Sequence, residues 1–374
     1  MLLKKIFLFV IVPILVLLTF VLMYLIFSPR VGSDPKGERL ERIRSSPNYR
    51  DGKFQNVVAT NMDMPARVML RVIWEVLRGG KGREPKSAIP TVQFDRKAWE
   101  AVPDSAYAIA WFGHSSVLIK LDGLTFLFDP VFSERASAFS FAGPKRFRYT
   151  IQPRLQDLPR IDVVVLSHDH YDHLDHESVH YLKDRVDRWV MPLGVGAHLE
   201  RWGVRPGRIE EYDLWNSGLI GKVELSLIPT RHFSGRGLTN RFSTLWGGWV
   251  LQGSARTLLF GGDSGYSPTF AEVGERFGPF DLVLLECGAY NENWRDIHMF
   301  PEDVARAARD LDARAMMPVH WAKFNLALHP WKEPIDRLGR ALKGSSIPLL
   351  TPRVGEIMID ADPAVSGPWW NGVE

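Results

Sequence analysis

One cysteine, Cys287, is all that 374 residues contain. An internal disulfide and any cysteine-built zinc site are therefore excluded, and a bound metal would have to rely on histidine and carboxylate. Cys287 ends the apolar run Leu284-Leu285-Glu286-Cys287, where it reads as a small buried hydrophobe rather than a nucleophile. Charge of one sign is also scarce: the formal net charge is +3. No Lys/Arg stripe interleaved with aromatics occurs, so no nucleic-acid partner is expected. Internal repeats are absent, and no change in composition marks a second domain.

Charge is missing altogether between Ile6 and Phe27, with Pro13 and Thr19 as the interruptions. A helix of that length, at about 1.5 Å per residue, would cross a hydrocarbon layer of about 30 Å. Lys4 and Lys5 precede it, and no A-x-A cleavage site follows. Residues 1–28 are thus expected to form an uncleaved N-terminal transmembrane helix. Arg30, Lys36, Arg39, Arg42 and Arg44 crowd the far flank, and by the positive-inside count they hold the body in the cytoplasm. Residues 29–60, charged and broken by Pro29, Pro35 and Pro47, read as a tether. The body then runs from 61 to 374. Its first segment, Pro65 to Leu77 with Gly79-Gly80 behind it, is predicted helical. More than half of that helix's circumference is apolar, so it either packs on the body or lies on a membrane.

Strands are predicted at Ala108–Trp111, Ser116–Lys120, Leu124–Phe128, Ile161–Leu166, Arg188–Met191, Val223–Ile228, Thr244–Leu251, Thr257–Phe260, Leu282–Leu285 and Ala315–Val319. Asp122-Gly123 is a hairpin turn. Helices are predicted at Glu177–Val186, capped by Asp175, and at Pro301–Leu311. Strands outnumber helices, and hairpins mix with crossovers. The pattern favours an α+β fold with two sheets face to face and helices outside, an αββα sandwich.

The chemistry is concentrated in Ser167-His168-Asp169-His170-Tyr171-Asp172-His173, the loop leaving the apolar strand at 161–166. Loops at the ends of buried strands are where a rigid sheet presents functional groups. Imidazoles and carboxylates at this density suit zinc, and to some degree iron or manganese. The loop alone cannot complete such a site. Further donors follow other apolar strands: His232 after Ile228, Asp263 after Phe260, and His320 after Val319.

The order H-x-H-x-D-H, His, Asp, His resembles the metallo-β-lactamase-fold hydrolases. Trp111-Phe112-Gly113-His114-Ser115-Ser116, Asp129-Pro130-Val131-Phe132, Gly143-Pro144-Lys145-Arg146-Phe147-Arg148 and Pro318-Val319-His320-Trp321 are similar to blocks of the N-acylphosphatidylethanolamine-hydrolysing phospholipase D branch. The resemblance covers roughly residues 45–350, and the anchor lies outside it, which points to a bacterial, inner-membrane member. It implies two zinc ions, one held by His168, His170 and His232, the other by Asp172, His173 and His320, with Asp263 between them. It implies hydrolysis of N-acylphosphatidylethanolamine-type phospholipids to N-acylethanolamine and phosphatidic acid, by metal-hydroxide attack on phosphorus. Asp172, Asp263 and His298 would be catalytic. His298 would also contact substrate, as would His114 unless it plays a supporting role. A homodimer is compatible with this reading. Two other functions remain open on sequence alone: a hydrolase of this fold acting on a lactone or a nucleic-acid phosphodiester, and a membrane-anchored binding module without activity.

Overall fold

The computed structural model describes residues 7–363 and 367–374. A short hairpin, β1 (Tyr49–Arg50) and β2 (Lys53–Phe54), precedes two sheets. The first sheet contains β3 (Ala108–Trp111), β4 (Val117–Leu121), β5 (Leu124–Phe128), β6 (Val163–Val165), β7 (Arg188–Pro192) and β8 (Ile209–Tyr212). The second contains β9 (Ser217–Ile220), β10 (Val223–Ile228), β11 (Gly248–Gln252), β12 (Thr257–Phe260), β13 (Leu282–Glu286) and β14 (Met316–Val319). A last strand, β15 (Ile357–Ile359), returns to pair antiparallel with β3. Each sheet is mixed. Antiparallel hairpins give way to parallel pairing at β5–β8 and at β12–β14.

Alternation along the strands builds the layers, because successive side chains point to opposite faces. Ile109, Trp111, Phe126, Phe128, Val163 and Val165 face inward and pack against Leu225, Leu227, Trp249, Leu251, Phe260 and Leu284. Phe128 and Phe260 meet across the interface with ring centroids 4.7 Å apart. The intervening residues face outward onto helices. Ala110, Leu118, Leu127 and Val164 pack with Trp99, Val179 and Leu182. Val250, Leu259, Val283 and Leu285 pack with Phe270, Val304, Ala308 and Leu338. The result is the expected αββα sandwich.

The described residues do not support two expectations at the N-terminus. No helix among the described residues is long and apolar enough to cross a membrane. The α-helix Val12–Phe27 has 16 residues, about 24 Å at 1.5 Å per residue. Pro13 lies in its first turn and marks its start, and Phe7–Ile11 ahead of it is wound as a π-helix. Lys4, Lys5 and Ile6 lie outside the described residues. Residues 29–60 are not a loose tether either. They hold the helix Gly37–Arg44 and the β1–β2 hairpin, and Ile43 and Phe54 are buried in the core between the sheets. Arg39 donates to both carboxylate oxygens of Glu200 and, through Nε, to Glu211. The charges that look like a solvated linker are thus partners of acids far along the chain.

Candidate metal centre

The loops at the C-terminal ends of β6, β10, β12 and β14 converge at one edge of the sandwich. Residues there that take left-handed backbone include His114 (φ 56°), Asp129 (φ 38°) and His320 (φ 64°). Such conformations cost about 1–3 kcal/mol each and persist where the surroundings enforce them. His320 donates its N–H to the His114 carbonyl at 3.0 Å, and His114 donates to that of Trp321 at 3.1 Å. The buried Asp129 carboxylate accepts from the Ser167 N–H (2.8 Å), the Ser167 hydroxyl (2.5 Å) and His173 Nδ1 (2.7 Å). Gly262 also sits at positive φ, and a Cβ there would press against Ser167 at 3.1 Å and the Gly247 carbonyl at 3.0 Å. Only glycine lets this turn lie against the metal-loop strand.

Nitrogen and oxygen donors gather in two overlapping sets. His170 Nδ1 lies 2.9 Å from His168 Nε2 and 3.3 Å from His232 Nε2. Asp263 Oδ2 lies 3.2 Å from His173 Nε2 and 3.0 Å from His320 Nε2, and Asp172 Oδ2 lies 3.4 Å from that same His320 nitrogen. Asp263 Oδ2 also reaches to within 3.7 Å of His232 Nε2, so it touches both sets. Tetrahedral ligands at about 2.0–2.1 Å from an ion lie about 3.3 Å apart, and the spacing fits. Nε2 of His173, both ring nitrogens of His320 and Oδ1 of Asp263 are buried without hydrogen-bond partners among the described residues. Groups left in that state normally find a partner, and a metal ion supplies one.

Hydrogen bonds on the far side of the rings select which nitrogen faces inward. His168 Nδ1 donates to the Ser167 hydroxyl (2.9 Å), His173 Nδ1 to Asp129, and His232 Nδ1 to the Ile297 carbonyl (3.0 Å). Burial, reinforced by neighbouring imidazoles, holds His168 and His232 well below the usual histidine range, hence neutral. For His320 burial acts the same way, but Asp263 and Asp172 outweigh it and raise the ring to about 10. Burial likewise opposes ionisation of Asp172 and Asp263, yet His173 and its neighbours hold both carboxyls well below their ordinary range. The carboxylates are thus ionised, and without an ion the His173 and His320 rings, both raised by them, supply the opposing charge.

A family model described as the beta-lactamase superfamily domain matches residues 125–321, which span every donor from His168 to His320. The chain belongs to the β-lactamase superfamily. A Caenorhabditis elegans N-acyl-phosphatidylethanolamine-hydrolyzing phospholipase D 1 is 34% identical over 248 residues, covering 63% of this chain and 69% of that protein. Uncharacterized protein Rv0906 of Mycobacterium tuberculosis is 41% identical over 330 residues, 87% of each chain. The structure of Igni18, a metallo hydrolase from Ignicoccus hospitalis, superposes with a TM-score of 0.53 at 16% identity, covering 68% of this chain and 98% of that one; this likeness speaks to fold alone. The chain is a metal-dependent hydrolase of the superfamily's α+β fold, with a histidine/aspartate metal site.

A cleft of about 450 Å³ opens above the donors, walled by Met62, Met69, Phe233, Arg241, Ile297 and His298 among others. His170, Asp172, His232, Asp263 and His320 form its floor. His114 is elsewhere. It is buried behind Asp172, to whose Oδ2 it donates from Nε2 at 2.9 Å. His298 reaches the cleft with one edge of its ring, because its Nδ1 donates to Glu286 Oε2 at 2.6 Å. The sequence reading missed Glu286. It is the last residue of β13 and fully buried, and its other oxygen accepts the Met299 N–H at 2.9 Å. An acid at the end of an apolar strand, like Asp129 and Asp263, was the available signal. His198, which has no motif around it, is also tied to the metal loop: its Nε2 donates to Asp169 Oδ2 at 3.2 Å.

Proposed function

We propose that this protein is a zinc-dependent phosphodiesterase that hydrolyses N-acylphosphatidylethanolamine-type phospholipids to N-acylethanolamine and phosphatidic acid. His168, His170 and His232 would hold one ion and Asp172, His173 and His320 the other, with Asp263 shared. When bound, such a pair supplies Lewis acidity toward a phosphoryl oxygen and a water acidified to near neutrality. Iron or manganese would suit the same donors. In the net reaction a water oxygen bonds to phosphorus, the bond from phosphorus to the ethanolamine oxygen breaks, and the leaving oxygen takes up a proton. His298 would give that proton from Nε2, since its Nδ1 is bonded to Glu286. Asp129 and Ser167 hold His173 in register, and His114 steadies Asp172 from behind.

The observation that carries the substrate class is the cleft wall. Three methionines, a phenylalanine and an isoleucine stand over a floor of histidine and aspartate donors, which suits a ligand with a phosphodiester head and long apolar chains. The exposed apolar side chains of the helix Val12–Phe27, such as Leu17 and Phe20, support attachment to a membrane face. The site of action proposed is thus a bilayer surface. Mass spectrometry of products from a phospholipid panel, with and without chelator, tests the reading. Chelator-sensitive release of N-acylethanolamine together with phosphatidic acid is expected. Metal-loaded protein that leaves every phospholipid intact would refute it.

A further inference from the structure

The helix Ala66–Arg78 contains no buried residue in its 13 positions. Val68, Val72 and Glu75 form its half-buried side, while Met69, Leu70, Ile73, Trp74, Val76 and Leu77 are 47–77% exposed. Two links tie it to the body: Arg71 donates to Asn293 at 3.4 Å, and Arg83 donates to the Glu75 carbonyl at 2.9 Å. A surface helix ordinarily turns its apolar stripe toward the core; this one turns it outward. Met69 from this helix, with Met62 and Met64 just ahead of it, also lines the cleft over the metal donors.

We propose that this helix docks into the surface of an anionic phospholipid bilayer and so sets the cleft mouth against the lipid. The proposal rests on the phospholipid reading for its purpose. Charge selects the occupant. Arg67, Arg71, Arg78 and Lys81 are exposed around the apolar side chains, and Glu75 is the one acid of the helix. A cationic, tryptophan-bearing apolar face suits an interface with negative head groups. A second copy of the chain suits it poorly, because a two-fold contact sets each patch against itself and would oppose arginine to arginine. A bound bilayer also explains why the apolar side adjoins the site: a lipid drawn upward passes Met69 on its way to the metal floor.

Site-directed fluorescence on the full chain tests this without reference to catalysis. Cys287 is fully buried, so a cysteine introduced as Leu70→Cys or Leu77→Cys takes an environment-sensitive label selectively. Leu219→Cys, 66% exposed on β9, serves as control. Vesicles of phosphatidylglycerol should move the labels at 70 and 77 into an apolar environment and leave the label at 219 in water. Phosphatidylcholine vesicles should do so at least tenfold less effectively. Protein that binds vesicles with the labels at 70 and 77 still in water would overturn the proposal. So would a label response that follows protein concentration without vesicles, the signature of self-association. In a second arm, the combined Leu70→Ser, Trp74→Ser and Leu77→Ser variant should lose at least tenfold in rate on vesicle substrate and stay within twofold on a short-chain, monomeric phosphodiester. Equal loss on both would refute docking, whereas inactivity of the parent protein on any lipid would refute only the phospholipid reading.

Discussion

Replacing Glu286 by Gln tests whether His298 works as a proton donor. Glu286 accepts from His298 Nδ1 at 2.6 Å and from the Met299 N–H at 2.9 Å, and no water reaches it. Glutamine keeps the shape. Its oxygen stays with the Met299 N–H, so its amide nitrogen faces His298 Nδ1. The ring must then accept at Nδ1 and carry its single proton on Nε2, as a neutral imidazole that is a far weaker acid than the imidazolium a carboxylate would stabilise. A hydrogen bond to a charged group contributes about 1.5–3 kcal/mol. At about 1.4 kcal/mol per decade, the loss of kcat should be roughly 10–150-fold. The assay compares kcat, KM and metal content, and repeats kcat on a p-nitrophenyl phosphodiester whose leaving group needs no proton. The expected variant keeps its metal and its KM, loses kcat on the alkyl substrate and recovers most of it on the activated one. A kcat within threefold of the parent, or equal loss on both substrates, would refute the role assigned to the pair.

Asp129→Asn should destabilise the protein by about 1–3 kcal/mol, since it breaks a buried three-donor clamp, and should lower metal content by up to one ion per chain; calorimetry and elemental analysis read both. Asp263→Ala should abolish metal loading and turnover together, and full activity in that variant would end the shared-ligand assignment. Chelation should lower the parent's melting temperature by mass action and leave that of Asp263→Ala nearly unmoved. Lys323 is buried with no carboxylate paired to it among the described residues, donating to the Val131 and Phe112 carbonyls at 2.6 and 3.1 Å, and burial lowers it from 10.5 to about 7. Between about pH 7 and 10 the unfolded chain would hold a proton that the folded one lacks, so stability should rise with pH by up to about 1.4 kcal/mol per unit. Lys323→Met should flatten that slope; an unchanged slope would refute the assignment.

How far the sequence could be read follows from where each partner lies. Strands such as Leu124–Phe128 and Leu282–Glu286 were legible because apolar runs and turn residues are local signals. The edge strands Ile209–Tyr212, Ser217–Ile220 and Ile357–Ile359 were not, because half-exposed strands lose the apolar signal. The histidines and aspartates that the fold gathers at one edge were legible because each lies in a loop that leaves a buried strand. Glu286 also ends such a strand, but its role depends on His298, which arrives from another segment. The same holds for residues 29–60: Arg39 and Arg42 look solvated until Glu200 and Glu211 are brought to them by the fold. Composition reports what a segment could do in water, not what the fold places beside it.

The N-terminal region and the helix Ala66–Arg78 show that limit from the other side. Apolar composition foresaw a spanning helix for the first and left the second undecided between core and membrane. The structure shortens the α-helical part of the first and leaves the second outside the core. Moving the six exposed apolar side chains of the second helix into apolar surroundings is worth on the order of 10 kcal/mol. That is comparable to the whole stability of a typical domain. A chain that leaves so much apolar surface in water at the rim of its active-site cleft is organised around a surface outside itself. The metal floor then needs no deep channel, because substrate already held at that surface has only to rise past Met69 to reach it. The lipid arrangement and the open cleft are thus one prediction: if the helix does not meet a bilayer, the cleft's apolar rim also loses its explanation.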